Sequence, residues 1–127
     1  MRFAYLIWRR PWMAVAHGTF VDALLAQAGG VNVFGDTADR YPVITDAQLA
    51  AVDPDVVLLA TEPFPFDERH GDELAKLTGL PRERFAIADG ELLSWHGSRT
   101  PAGVDYAASL VREVAGRRDL TAGRVQA

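Results

Sequence analysis

The segment Val56-Val57-Leu58-Leu59 is an unbroken run of branched apolar residues, and the fold prediction starts from it. A strand that is apolar at every position, without polar alternation, is typical of a parallel sheet that is covered on both faces. Asp53-Pro54 lies just before this run and is expected to end the preceding helix, because a residue before proline disfavours the helical conformation. We therefore predict a central parallel strand at residues 55–60.

The rest of the chain alternates between strand and helix patterns. Residues 3–8 form a second continuous apolar and aromatic run, and shorter strand patterns follow at residues 31–34 and 85–87. Thr45, with Gln48 three residues later, has the pattern of a helix-starting capping box. Helices are predicted at residues 19–28, 45–52 and 67–77 and from Thr100-Pro101 onward, and loops at residues 9–18 and 35–42. Strands that alternate with helices predict an α/β fold with a mostly parallel sheet.

Composition and charge narrow the function classes. The chain has 127 residues, close to the commonest size of a single domain. Its net charge is -4, and its 13 Lys and Arg residues are scattered, which argues against a nucleic-acid binder. The sequence contains no cysteine, so disulfides, thiolate metal sites and a cysteine nucleophile are excluded.

The sequence shows no membrane-spanning pattern, and residues 1–8 show no export pattern. No apolar run approaches the roughly 20 residues of a membrane helix, and residues 1–8 are interpreted as a strand rather than a signal peptide. The apolar period fades after Gly116. We therefore predict a single α/β lobe at residues 1–116 and a frayed or disordered tail at residues 117–127.

The candidate binding residues lie in loops that follow three predicted strands. In an open α/β sheet, ligands bind beyond the carboxyl ends of the strands, so these loops are expected to meet at one edge. The loop at residues 91–101 combines a tryptophan, an imidazole and a guanidinium, a costly set of side chains for a mere connector. The residues expected at this binding edge are Trp12, Glu62, Phe64, Trp95, His96 and Arg99.

Several chemistries find no support in the sequence. It has no glycine-rich dinucleotide or Walker motif and no Gly-x-Ser-x-Gly elbow, so phosphate cradles and a serine hydrolase are unsupported. A metal cluster of His17, Glu62 and His96 is conceivable at the strand ends. It keeps open an alternative function, a small metal-dependent enzyme or tetrapyrrole chelatase, although loop histidines without a metal are the more frequent case.

Six segments of the chain together resemble a known protein family. They are Tyr-Leu-Ile-Trp-Arg-Arg-Pro-Trp at 5–12, Thr-Phe-Val-Asp-Ala-Leu-Leu-Ala-Gln-Ala-Gly-Gly-Val-Asn-Val at 19–33, Arg-Tyr-Pro at 40–42, Asp-Pro-Asp-Val-Val-Leu-Leu at 53–59, Glu-Pro-Phe-Pro-Phe at 62–66, and Glu-Leu-Leu-Ser-Trp-His-Gly-Ser-Arg-Thr-Pro at 91–101. In this order the chain resembles the C-terminal lobe of helical-backbone, metal-type substrate-binding proteins of ABC importers. That class captures cobalamin, haem and ferric siderophores.

The resemblance implies a fold and a way of binding. The chain would be a three-layer, Rossmann-like lobe with a short sheet between helices, one of two lobes that clamp a metal-chelate ligand. The facing N-terminal lobe would lie outside these 127 residues, and the family works outside the cytoplasm. The resemblance implies no catalytic residue, cofactor or resident metal. Trp12, Tyr41 and the pair Trp95-His96 would pack on the ligand, with polar contacts from Glu62, His96 and Arg99.

The resemblance also implies partners. Family members dock on an ABC permease through a surface glutamate, and Ala47 stands at that position here with Asp46 beside it. Asp46 is therefore the candidate docking residue. A third hypothesis is self-association through the exposed edge of the cleft, because a lobe that faces another presents apolar surface.

Overall fold

A computed structural model describes residues 1–94 and 99–126 of the chain, with side chains described as far as residue 116. Within these residues the chain forms one six-stranded sheet and helices on both of its faces. The strands are β1 (Arg2–Trp8), β2 (Trp12–Ala14), β3 (Val31–Asn32), β4 (Val43–Ile44), β5 (Val56–Ala60) and β6 (Phe85–Ala88). The helices are α1 (Phe20–Gln27), α2 (Asp46–Val52), α3 (Glu68–Thr78) and α4 (Pro101–Gln126), with a short 3-10 helix at Arg82–Arg84.

The sheet is mixed and mostly parallel, which confirms the predicted α/β class. Its strand order is β4-β2-β1-β5-β6, and β3 also pairs with β1. The pairs β1 with β5, β5 with β6, and β1 with β3 are parallel, whereas β2 runs antiparallel to β1 and to β4. All residues of β5 are buried, with Leu58 opposite Tyr5 on one side and Ala86 on the other. The predicted central strand is thus confirmed.

Two short antiparallel strands are absent from the sequence prediction. β2 lies in the segment predicted as a loop, and β4 directly follows another predicted loop. Strands of two or three residues are too short to show a period-2 pattern, so the sequence could not reveal them. They form because the edge of β1 offers unpaired backbone groups, and Ala14 further donates its N–H to the Pro42 carbonyl at 3.0 Å.

The side chains of β1 alternate between two cores. Phe3 and Tyr5 belong to the core beneath α1 and α4, whereas Ala4 and Leu6 belong to the core beneath α2 and α3. Three layers of helix, sheet and helix result, as predicted. Among the described residues, no helix is long and apolar enough to cross a membrane.

Helix ends follow the predicted capping residues, with one difference. The Thr45 hydroxyl accepts the Gln48 N–H at 3.0 Å, and the Gln48 side chain accepts the Thr45 N–H at 2.9 Å, which confirms the capping box. α4 begins at Pro101, as predicted. Its backbone stays helical as far as Gln126, where the sequence predicted a frayed or disordered tail after Gly116. The helix therefore continues after its clear apolar periodicity has ended.

Candidate functional site

The carboxyl ends of three parallel strands meet at one edge of the sheet and border a cavity of about 550 Å³. Two hydrogen bonds join the ends of β5 and β6: Thr61 N–H to the Ala88 carbonyl and Gly90 N–H to the Thr61 hydroxyl, each at 3.0 Å. The cavity lies on the side of the sheet that carries α1. It is lined by Tyr5, Ile7, Val15, Thr19, Phe20, Val21, Tyr41, Glu62, Pro63, Gly90, Leu93 and Ser94.

Two aromatic side chains stand at this cavity without being buried. Phe20 is 52% exposed and Tyr41 is 49% exposed. Exposing aromatic surface of this size to water costs free energy. That free energy is recovered when the rings pack against a flat apolar partner. Among the lining residues that the structure describes, Glu62 is the one that carries a charged group. The cavity therefore suits a largely apolar molecule that has few polar contacts.

Tyr5 lies at the bottom of the cavity and is 2% exposed. Burial raises the pKa of its hydroxyl well above the usual value, and the nearby Tyr106, Asp89 and Glu62 raise it further. The phenol therefore stays protonated and neutral at physiological pH.

The loop that carries Glu62 packs tightly on the loop after β6. A Cβ atom added to Gly90 would lie 2.8 Å from the Glu62 carbonyl oxygen and 2.9 Å from its Cγ atom. The Asp89 carboxylate accepts the N–H groups of Glu91 and Leu92 at 3.0 and 3.1 Å, which holds the start of the next loop. Leu93 then enters the core. The rim at Glu62 is thus fixed by backbone contacts from both strand ends.

Two predicted binding residues lie away from the cavity. Trp12 stacks on Phe66 with a ring distance of 6.4 Å, and Phe64 makes edge contacts with Trp8 at 5.6 Å and Phe66 at 4.7 Å. Both pack against the core beneath α2 and α3, on the opposite side of the sheet. Position at a strand end determines the edge of the sheet on which a residue lies, but it does not determine the face.

The other predicted residues have different outcomes. Tyr41 and Glu62 line the cavity, and Arg99 is exposed just before α4 without being among the lining residues. Trp95 and His96 lie outside the described residues. Asp46 is half-buried in the first turn of α2, and its neighbour Ala47 is exposed. The binding and docking roles of these side chains stay predictions.

Sequence reasoning missed Tyr5 and Phe20 as cavity residues. Tyr5 was assigned to a buried strand, yet a hydroxyl in an otherwise apolar strand, close to its carboxyl end, is a signal that could have found it. Phe20 falls within the helix predicted at residues 19–28. Its position at the first residue of α1 places it next to the strand edge.

His17 belongs to a hydrogen-bonding network and not to a described metal site. Its Nδ1 atom lies 2.9 Å from the Asp22 carboxylate, which also accepts the Asn32 side-chain N–H at 2.9 Å. Residues 1–94 and 99–116 contain no group of three metal-binding side chains in reach of one ion. The alternative metal cluster consists of His17, Glu62 and His96. Its two described members, His17 and Glu62, therefore give no support to a metal site.

His17 is expected to stabilise the fold more at low pH than at high pH. Its hydrogen bond with Asp22 raises the pKa of His17 above its usual 6.5. Because the raised pKa belongs to the folded state, the contribution is complete below the unfolded pKa and is lost as the pH rises through the folded pKa. Urea unfolding of wild type and His17→Asn should differ more at about pH 5 than at about pH 9. Equal differences at the two pH values would contradict the prediction.

The fold is similar to the folds of several solved structures. No family model and no curated protein sequence matches the chain. The periplasmic vitamin B12 binding protein BtuF of Vibrio cholerae superposes with a TM-score of 0.70 at 19% identity, over 91% of this chain and 45% of BtuF. The periplasmic haem-binding protein RhuT from Roseiflexus sp. RS-1 superposes with a TM-score of 0.69 at 23% identity, over 89% of this chain and 45% of RhuT.

A third structure, from an ABC-type Fe3+-hydroxamate transport system of Saccharomonospora viridis, has a TM-score of 0.58 at 19% identity and covers 91% of this chain. This chain spans 42% of that structure, so it covers less than half of each of these proteins. Two of these structures are periplasmic binding proteins, for vitamin B12 and for haem, and the third belongs to an ABC-type transport system. The chain therefore has the α/β fold of a single lobe of the periplasmic substrate-binding proteins of ABC importers.

Proposed function

We propose that this chain is the ligand-binding lobe of an ABC importer's substrate-binding protein, for a metal chelate of the cobalamin, haem or ferric-siderophore class. The observation that carries the proposal is the cavity of about 550 Å³ at the carboxyl edge of the sheet, with Phe20 and Tyr41 half exposed beside it. The likeness of the fold to binding proteins for vitamin B12 and haem supports it.

Binding in this proposal is non-covalent. The rings of Phe20 and Tyr41 would pack on the face of the chelate, and Ile7 and Val15 would form an apolar floor. Trp95, His96 and Arg99 come from the next loop and are proposed to extend this wall, as the sequence predicts. Trp12 and Phe64 lie on the other face and are assigned to its aromatic cluster instead.

The proposal includes two protein partners and a location. A second lobe would cover the open side of the cavity, because a wall on one side cannot exclude water from a bound chelate. A permease would dock near Asp46, where α2 begins and Ala47 is exposed. Both partners place the protein outside the cytoplasm.

The test measures chelate binding to the 127-residue chain. Cyanocobalamin, hemin and ferrioxamine B are titrated against wild type by calorimetry, and at least one is expected to bind weakly, since one wall of the clamp is present. Phe20→Ala and Tyr41→Ala should each weaken that binding by about three- to tenfold, from lost aromatic contact.

Leu77→Ala is the matched control for this test. Leu77 is 50% exposed, comparable with the two aromatic residues, but it lies on α3 and does not line the cavity. Its replacement should leave the affinity unchanged. The proposed function is wrong if none of the three chelates binds wild type, or if Leu77→Ala weakens binding as much as the two cavity variants do.

A further inference from the structure

The Tyr5 hydroxyl is a polar group at the bottom of an apolar cavity. The Tyr5 residue is 2% exposed. It lies on β1 near the centre of the sheet and lines the cavity. Within the described part of the chain, no hydrogen bond joins the Tyr5 hydroxyl to another residue. The neighbouring Tyr106 hydroxyl, in contrast, accepts the Asp89 N–H at 2.8 Å. In the described residues, every side-chain polar atom that is itself shielded from solvent has a hydrogen-bond partner. The Tyr5 hydroxyl has no such partner, so the small exposed part of this residue includes its hydroxyl, which opens on the cavity.

The described charged groups around this hydroxyl are all acidic. Glu62 contributes a carboxylate at the rim, Asp89 lies near enough to influence Tyr5, and none of the described lining residues is Lys, Arg or His. The Thr19 hydroxyl is already occupied, since it donates to the Ala16 carbonyl at 3.0 Å and accepts the Asp22 N–H at 3.3 Å. Tyr41 and Ser94 also bring hydroxyls to this wall; the Ser94 hydroxyl donates to the Glu91 carbonyl at 2.5 Å, and Tyr41 is 49% exposed. Among the described lining residues, Tyr5 therefore supplies the buried phenol and Glu62 the charged group.

This pair selects for a particular chemistry. A carboxylate accepts hydrogen bonds and repels anions, while a neutral phenol can donate one hydrogen bond and accept another. A primary amide satisfies both, because its carbonyl can accept from the phenol and its N–H groups can donate to the carboxylate. A ligand carboxylate would meet repulsion from Glu62 in a cavity of low polarity.

We propose that Tyr5 is a specificity-determining residue, which together with Glu62 selects a chelate with neutral primary amides on its periphery over one with carboxylates. The inference rests on the proposed function and narrows its ligand class. It assigns a role to a strand residue that the fold alone would place in the core. It also predicts that corrinoids with amide side chains bind this wall better than haem, whose periphery carries two propionates.

The experiment compares two corrinoids that share one ring system. Dicyanocobinamide carries peripheral amides, and dicyanocobyrinic acid carries carboxylates at the corresponding positions. Wild type is expected to bind dicyanocobinamide at least about tenfold more tightly. Tyr5→Phe, which keeps the ring and removes the hydroxyl, should weaken dicyanocobinamide about five- to tenfold and change dicyanocobyrinic acid little. Glu62→Gln should improve binding of dicyanocobyrinic acid, since repulsion is removed.

Thermal stability of Tyr5→Phe is the control for this comparison. Thermal unfolding of Tyr5→Phe should match or exceed wild type, because the removed hydroxyl has no described protein partner, and this control separates binding from folding. If wild type binds dicyanocobinamide but Tyr5→Phe binds it equally well, the inference is overturned and the proposed function stands. If hemin binds wild type and neither corrinoid binds, the inference is likewise overturned and the proposed function stands. If no chelate binds wild type, both are overturned.

Discussion

Replacing Asn32 with Ala is expected to destabilise the fold by about 2–4 kcal/mol. The Asn32 side-chain amide donates to the Val15 carbonyl and to the Asp22 carboxylate, both at 2.9 Å, and its oxygen accepts the Phe34 N–H at 3.0 Å. Asp22 is 6% exposed. Removing the amide therefore leaves a buried carboxylate oxygen, a carbonyl and an N–H without this partner, and unsatisfied buried groups cost more than a hydrogen bond gains.

Urea unfolding at neutral pH measures this change. Asp39→Ala is the matched control, because Asp39 is an exposed polar residue in the loop that follows. Its replacement should change the free energy of unfolding by less than about 0.5 kcal/mol. A loss smaller than about 1 kcal/mol for Asn32→Ala would show that water or neighbouring groups replace the amide, and the assigned role of the network would be wrong.

Gly90→Ala is expected to destabilise the fold by about 1–3 kcal/mol and to weaken chelate binding. The new Cβ atom would meet the Glu62 carbonyl oxygen at 2.8 Å, and that oxygen belongs to the backbone, so it cannot move by a change of rotamer. The ends of β5 and β6 must then separate. Because Glu62 lines the cavity, the same displacement alters its rim.

Gly116→Ala provides the opposite expectation within the same chain. Gly116 lies in α4, and a Cβ atom there would have nothing within 4 Å. Alanine should therefore stabilise the helix, by about 0.5–1 kcal/mol, because glycine loses more conformational freedom on folding. Thermal unfolding of both variants gives the comparison. Effects of the same sign, or a Gly90→Ala variant as stable as wild type, would contradict the close packing at Glu62.

The candidate site shows where prediction from sequence reached its limit. Tyr41 and Glu62 were predicted and line the cavity, but Trp12 and Phe64 were predicted at the same edge and pack on the opposite face. A position just after a strand predicts the edge of the sheet on which an aromatic residue lies, and it does not predict the face. β1 turns its successive side chains to opposite faces, so Ile7 points to the cavity side while Trp8 contacts Phe64.

The sequence by itself determined the central strands β1 and β5, the helix starts at Thr19, Thr45 and Pro101, and the α/β class, because apolar runs and capping residues act over a few neighbouring positions. Only the tertiary structure decided which face each strand-end side chain occupies, and that Tyr5 opens on a cavity. These properties depend on the pairing of distant segments, such as β2 with β1 and the Glu62 loop with Gly90, and no local pattern records them.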